Sequence, residues 1–310
     1  MQIYHTMTPV SGEKGCAVAL GYFDGVHCGH RMVLGSAVRY AAENGLAPAA
    51  FTFELPGNQT LKGGRILSAA QKHLRMESLG IEQYLEPPFE AFRNLSPEDF
   101  VQKVLVECFR AKAVFCGKNF TFGARAAGDV EMLHTLCEPL GISVHIVPMA
   151  QYGAQAVSST RIRAALEEGR LDDANAMLGA PYAIDWQVTH GKGVGTSRLG
   201  TPTVNQNYPP DALQPCTGVY LTRIWLQDRW WSAATGIGRR PTVDESADAA
   251  VTCETYVPDF SGDLYGQAPV LEFHRYLCPI RKFRTLQELS ELIRRAAEES
   301  KAYFAAQTVK

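Results

Sequence analysis

CAVALGYFDGVHCGHRMVLGSAVRYAAENGLAPAAFTF, residues 16–53, decides the fold. It opens with a short apolar run, CAVALGYF (16–23). RMVLGSAVRYAAENG (31–45) follows, its apolar positions recurring at helical spacing and its last residue a glycine suited to a C-terminal cap. PAAFTF (48–53) then reads as a strand. The alternation continues outward. PEDFVQKVLVECFR (97–110) predicts a helix, AVFCG (113–117) a strand, VEMLHTLCEPLG (130–141) a helix and SVHIVPM (143–149) a strand. Strand–helix–strand units of this kind predict an α/β domain: a doubly wound parallel sheet with helices on both faces and ligands at the carboxyl ends of the strands.

Within the opening stretch, GYFDGVHCGH (21–30) falls where the first strand hands over to the first helix. A helix N-terminus presents unpaired N–H groups and a partial positive charge, which together favour a phosphate. Gly25 and Gly29 let the backbone turn tightly. His27 and His30 can donate to phosphate oxygens and, when protonated, offset charge that develops in phosphoryl or nucleotidyl transfer. Two imidazoles three residues apart also suit a metal, and a histidine can simply line a core. Asp24 either orients a histidine, reaches Mg2+ indirectly or only shapes the turn. Further on, SSTRIRAALEEG (158–169) and DDANAMLG (172–179) predict two short helices. Ser158, Ser159 and Thr160 open the first with hydroxyls and N–H groups, either as plain caps or as a second phosphate cradle. Arg163 follows one turn later, placed to clamp a triphosphate bidentately.

After Pro181 the texture changes to short alternating segments between Gly, Pro and Asp turns, which predicts an antiparallel β-barrel or sandwich. The boundary is set at residue 182, giving domains 1–181 and 182–310, and TLQELSELIRRAAEESKAYFAA (285–306) closes the chain as an amphipathic helix. HGKGVGTSRLGTPTVN (190–205) is rich in glycine, and Gly191, Gly193 and Gly195 let backbone N–H groups surround phosphates. Thr203 and Asn205, two apart on an extended segment, face the same way and offer oxygens of the sort Mg2+ takes. In VTCETYV (251–257), Thr252, Glu254 and Tyr256 share a face. Glu254 is expected to point inward among apolar neighbours, where a carboxylate needs a partner or a task, and is a candidate general base.

Composition narrows the partners. A net charge of −2 gives no general attraction to nucleic acid. Residues 1–15 lack a signal-peptide layout and no apolar run is long enough to span a membrane. The eight cysteines are scattered without a CxxC pair, which points to reduced thiols in a cytoplasmic protein.

The pattern His27-Cys-Gly-His30 resembles the HxGH signature of the nucleotidyltransferase superfamily. GYFDGVHCGH, GKNFTFG (117–123) and VSSTRIRAALEEG (157–169), in this order, are similar to the motifs of bacterial bifunctional riboflavin kinase/FAD synthetases. In the second half PTVN (202–205), GVY (218–220), IGRRPT (237–242), Glu254 and DLYG (263–266) resemble that family's riboflavin kinase module. The resemblance implies an N-terminal nucleotidyltransferase-like domain that adenylylates FMN to FAD and a C-terminal barrel that phosphorylates riboflavin to FMN. Both would use ATP and Mg2+. It implies that Asn119 contacts nucleotide or flavin, that Arg163 holds the triphosphate, and that Glu254 serves the ribityl 5′-hydroxyl as base. Departures gather in the second half: Thr196 where an Arg is usual, or that Arg displaced by an insertion to Arg198, Gly236 for an Asn, Cys278 and Ile280 for an Arg and a Glu, and Ala296 for an Asp. Tyr22 and Leu55 are milder ones. Two other readings use the same residues: an FMN adenylyltransferase with a degenerate kinase module, and a non-catalytic flavin or nucleotide sensor.

Overall fold

The computed structural model describes residues 1–55, 63–189, 203–239, 251–258, 260–279 and 286–308. These form two compact units, one of Met1–Gly63 and Ala69–Ser159, the other of Gly64–Ser68 and Thr160–Lys310.

The first unit holds β1 (Gln2–Tyr4), β2 (Cys16–Leu20), α1 (Cys28–Asn44), β3 (Ala47–Phe51), α2 (Ala69–Ser78), β4 (Gln83–Leu85), α3 (Pro97–Phe100), β5 (Ala111–Gly117), α4 (Val130–Cys137) and β6 (Ser143–Val147). A small hairpin follows, β7 (Gln151–Tyr152) with β8 (Gln155–Ala156). The six larger strands make one sheet in the order β1-β4-β3-β2-β5-β6, every pairing parallel. After β1 at one edge, the chain enters the middle at β2, runs outward through β3 and β4, then crosses back to β5 and β6. The winding therefore reverses between β2 and β5. Right-handed crossovers then place α1 and α2 on one face and α3 and α4 on the other. The central strands are buried end to end; β2 and β3 expose nothing, as a parallel sheet covered on both faces requires. One face packs Leu20, Phe51, Val104, Leu105, Val114 and Leu133 into a continuous core.

Three differences from the sequence reading have physical causes. β1 and β4 went unread because three residues are too few to show a period. The helix expected over 97–110 starts as a single α turn and continues as π-helix through Val101–Cys108, a widening that apolar spacing does not report. α1 begins three residues before its apolar stripe, at Cys28, because the cap rather than the stripe sets its start.

In the second unit α5 (Ser159–Glu167), which starts on the last residue of the first, and α6 (Leu171–Leu178) precede β9 (Tyr182–Ile184), β10 (Val188–Thr189), β11 (Thr203–Asn207), β12 (Gly218–Leu226), β13 (Arg229–Arg239), β14 (Val251–Tyr256), β15 (Leu271–Cys278) and α7 (Leu286–Thr308). The sheet order is β10-β11-β14-β13-β12-β15-β9, antiparallel throughout. Its two edge strands, β9 and β10, are separated by only three residues of chain. Seven flat strands would hold their edges about 29 Å apart, whereas four residue steps span at most about 14 Å. The sheet must therefore curl, and it forms a half-barrel. Inside it Thr222, Thr235 and Thr255 join in a buried hydroxyl chain, with Thr222 to Thr235 at 2.8 Å and Thr235 to Thr255 at 2.9 Å. α7 closes on the sheet through Ala296 and Ala297 against Val219 and Ala234, and Ser300 Oγ donates to the Thr222 carbonyl. Asn175 of α6 secures β9 and β15 by accepting from Tyr182 N and donating to Phe273 O.

Residues 64–68 form a strap on this second unit. Arg65 N donates to Asp211 O, Leu213 N to Arg65 O, and Ser68 Oγ to Asp185 at 2.7 Å. Gly64 lies so close to Leu213 that an added Cβ would stand 2.5 Å from its backbone.

Candidate active sites

The turn after β2 is strained and heavily tied. Phe23 and Val26 have φ of 55° and 43°, and Gly25 83°. For a β-branched valine that conformation is a true outlier, of the sort found at functional sites. The strain is held by Val26 N donating to Phe23 O, Arg31 Nε to Val26 O and Arg75 Nη1 to Gly25 O. Ser159 Oγ donates to the Asp24 carbonyl at 2.9 Å, which brings the SST stretch to this turn.

From the turn the chain enters α1 with His27 as its cap: Nδ1 of His27 accepts the backbone N–H of His30 at 3.3 Å. Neutral His27 therefore carries its proton on Nε2. The His27 and His30 rings stack with centroids 3.6 Å apart and planes 17° from parallel, and Phe23 meets His30 edge-on. Burial pushes the His27 imidazole down to about 4. Burial, then the neighbouring ring and the Lys72 ammonium, hold His30 well below the usual range as well.

Asn119 sits at the carboxyl end of β5, in an exposed turn closed by Phe120 N donating to Gly117 O. β5 is the strand beside β2, so the two loops flank the point where the winding reverses, the place where a doubly wound sheet holds its ligand. In the second unit, Thr160 is exposed on the first turn of α5, while Arg163 is buried and donates through Nε to Gly64 O at 2.9 Å. The guanidinium expected to hold a triphosphate also secures the strap.

Sequence reasoning passed over a charged cluster on the same sheet edge. Glu86 follows β4, is 2% exposed, and accepts from Lys72 Nζ at 2.7 Å, His73 Nε2 at 2.8 Å and the Tyr84 hydroxyl at 3.0 Å. Burial alone would raise its carboxyl, but Lys72, His73 and Tyr84 together hold it below the ordinary range. Lys72 also reaches Thr52 Oγ1 at 3.5 Å and lies 5.6 Å over the Tyr22 ring. The readable signal was a carboxylate closing an apolar strand, YLE at 84–86.

In the half-barrel, Asn205 pairs directly with Glu254, and Thr203 with Tyr256. Directly opposed residues of an antiparallel pair share a face, so Thr203, Asn205, Thr252, Glu254 and Tyr256 converge on one side. Asn205 Nδ2 donates to Thr203 O at 3.1 Å and more weakly to its hydroxyl. Glu254 does not point inward as expected. The buried face belongs to Cys253 and Thr255, and Glu254 stands half-buried on the other. Alternation fixed which residues share a face, but VTCETYV carries polar residues on both, and the interior side accepts threonines by linking their hydroxyls.

Gly236 is the partner of Glu254 on the far strand, and among the described residues a Cβ there would meet nothing nearer than the Glu254 backbone oxygen at 4.0 Å. Cys278 ends β15 half-buried, and Ala296 belongs to the helix–sheet contact. Gly191, Gly193, Gly195, Thr196 and Ile280 lie outside the described residues.

Residues 10–161 match the FAD synthetase family and residues 178–304 the riboflavin kinase family. A bifunctional riboflavin kinase/FMN adenylyltransferase of Bacillus subtilis is 31% identical over 311 residues, covering 98% of each chain. A relative of the same description from Pseudomonas fluorescens is 30% identical over 293 residues, covering 93% of this chain and 92% of its own. Among solved structures, that of a macrolide-efflux protein from Streptococcus pneumoniae matches with a TM-score of 0.84 and 25% identity over 97% of this chain and 98% of that one. With two consecutive family matches and full-length relatives at this identity, the chain belongs to the bifunctional riboflavin kinase/FMN adenylyltransferase family.

Proposed function

We propose that this chain phosphorylates riboflavin to FMN and adenylylates FMN to FAD, with ATP as co-substrate of both steps. The observation that carries this is the succession of FAD synthetase and riboflavin kinase matches along one chain, with relatives of both activities along nearly its whole length.

In the first unit, an oxygen of the FMN phosphate forms a bond to the α-phosphorus of ATP while the bond from that phosphorus to the bridging oxygen breaks. FAD and pyrophosphate result. No protein nucleophile is needed, since positioning and charge stabilisation supply the catalysis. The N–H groups at the start of α1 and the Nε2–H of His27 are the donors we assign to phosphate oxygens. Asp24 and Gly25 shape the turn, Ser159 fixes it, and Asn119, Ser158, Thr160 and Arg163 are assigned to nucleotide and flavin.

In the second unit Glu254 accepts the proton of the ribityl 5′-hydroxyl as that oxygen bonds the γ-phosphorus and ADP leaves. The Thr203 hydroxyl and Asn205 Oδ1, on one face with the Glu254 carboxylate, form an all-oxygen set that fits Mg2+. When bound, the ion neutralises phosphate charge. Gly191, Gly193 and Gly195 are assigned to the ATP phosphates through their backbone N–H groups. All eight cysteines are unpaired, which supports a reducing compartment, and we assign the protein to the cytoplasm. Among the described residues no helix is long and apolar enough to cross a membrane.

The test is incubation with Mg–ATP and either riboflavin or FMN, with the flavins resolved by chromatography. FMN is expected from riboflavin and FAD from FMN. Absence of the first product overturns the kinase half, and absence of the second the transferase half.

A further inference from the structure

The stacked histidines restrict where a proton can reside. His27 Nδ1 already accepts the His30 backbone N–H, so a proton there would remove the cap of α1. His30 Nδ1 is buried and has no hydrogen-bond partner among the described residues. Next to the pair, Glu86 anchors Lys72 at 2.7 Å, and that carboxylate is itself held by His73 and Tyr84. One fixed cation and one fixed anion thus stand at the same sheet edge as the two imidazoles.

We infer that the pair takes up one proton, on His30, when nucleotide phosphates bind, and that Lys72 and Glu86 are positioning residues that set how readily it does so. This rests on the assignment of the pair to the nucleotide phosphates. In the free protein burial and Lys72 keep His30 neutral. Arriving phosphate oxygens add negative charge beside the pair, and a proton from solvent then becomes favourable. It returns to solvent when pyrophosphate leaves, so the net reaction is unchanged. Among the described residues, charged groups at the same turn also include Asp24, Arg31 of α1 and Arg75 of α2. The two arginines are committed to Val26 O and Gly25 O. Lys72 is the cation whose charge acts on His30.

Titration calorimetry with Mg–ATP in buffers of different ionisation heat reads the proton directly. Uptake is expected to rise toward one proton per transferase site as pH falls from 8 to 6, and to vanish in His30→Gln. The pH profile of FAD synthesis gives the second readout. Lys72→Met removes a cation and moves the alkaline limb to higher pH; Glu86→Gln removes an anion and moves it to lower pH, each by about half to one unit. Riboflavin phosphorylation by the same variants reports that the chain has folded. ATP binding without proton uptake, or limbs that move together or not at all, overturns the inference and leaves the site assignment standing. Unchanged ATP binding and FAD synthesis in His30→Gln overturns the site assignment itself.

Discussion

A histidine that caps a helix joins fold to chemistry at a single ring. His27 closes the start of α1 only while its Nδ1 is unprotonated, so the geometry of the proposed phosphate site and the protonation of its histidines are not independent. The stability consequence has a definite sign. Between the ordinary histidine value of 6.5 and the folded value of about 4 for His27, the unfolded chain binds more protons than the folded one. Stability contributed by the neutral pair is present above 6.5 and is withdrawn as pH falls toward 4. Thermal unfolding across that range should show a steeper acid loss in the native protein than in His27→Gln. His30→Ala should lower FAD synthesis by about a hundredfold or more while riboflavin phosphorylation persists. Glu254→Gln should do the reverse, lowering FMN formation by about two orders of magnitude and sparing FAD synthesis from FMN. Flavin chromatography on the two variants checks both, and equal loss of both activities in either one refutes the division of labour.

At the scale of elements, the strap 64–68 depends on one residue without a side chain. Gly64→Ala would set a Cβ 2.5 Å from Leu213 Cα and N, and backbone does not swing away as a side-chain end would. The expected cost is about 1–3 kcal/mol, read as a lower thermal unfolding midpoint. A midpoint equal to that of the native protein would show that the strap yields. The same scale shows what was legible. β2, α1, β3, β5 and β6 were readable because long apolar runs and helical spacing repeat a signal many times. The turn that holds His27 and His30 was readable because its residue types have no packing use in such density. β1, β4 and the strap were not, since each is only three to five residues long and held by partners far away in sequence. The Lys72–Glu86 pair escaped for the same reason: a helix and a strand end fourteen residues apart meet only in the folded sheet. The pairing of Asn205 with Glu254 was half legible, since each lay on a readable face but the register between β11 and β14 depends on the whole sheet.

At the scale of the molecule, the two proposed reactions draw on separate sets of residues. His30→Ala and Glu254→Gln, each unable to convert riboflavin to FAD, should recover that conversion when mixed, with a lag while FMN accumulates in solution. A mixture that makes FMN but no FAD would show that the transferase unit requires an intact kinase unit on its own chain. The strap adds a consequence in time. Ile66 and Leu67, buried in the finished second unit, leave the ribosome some ninety residues before Thr160, where that unit resumes. At ordinary rates of synthesis that is a wait of roughly 5–20 s. For at least that interval the nascent chain must carry two apolar side chains with nowhere to go, and their shelter is encoded in the part of the message not yet translated.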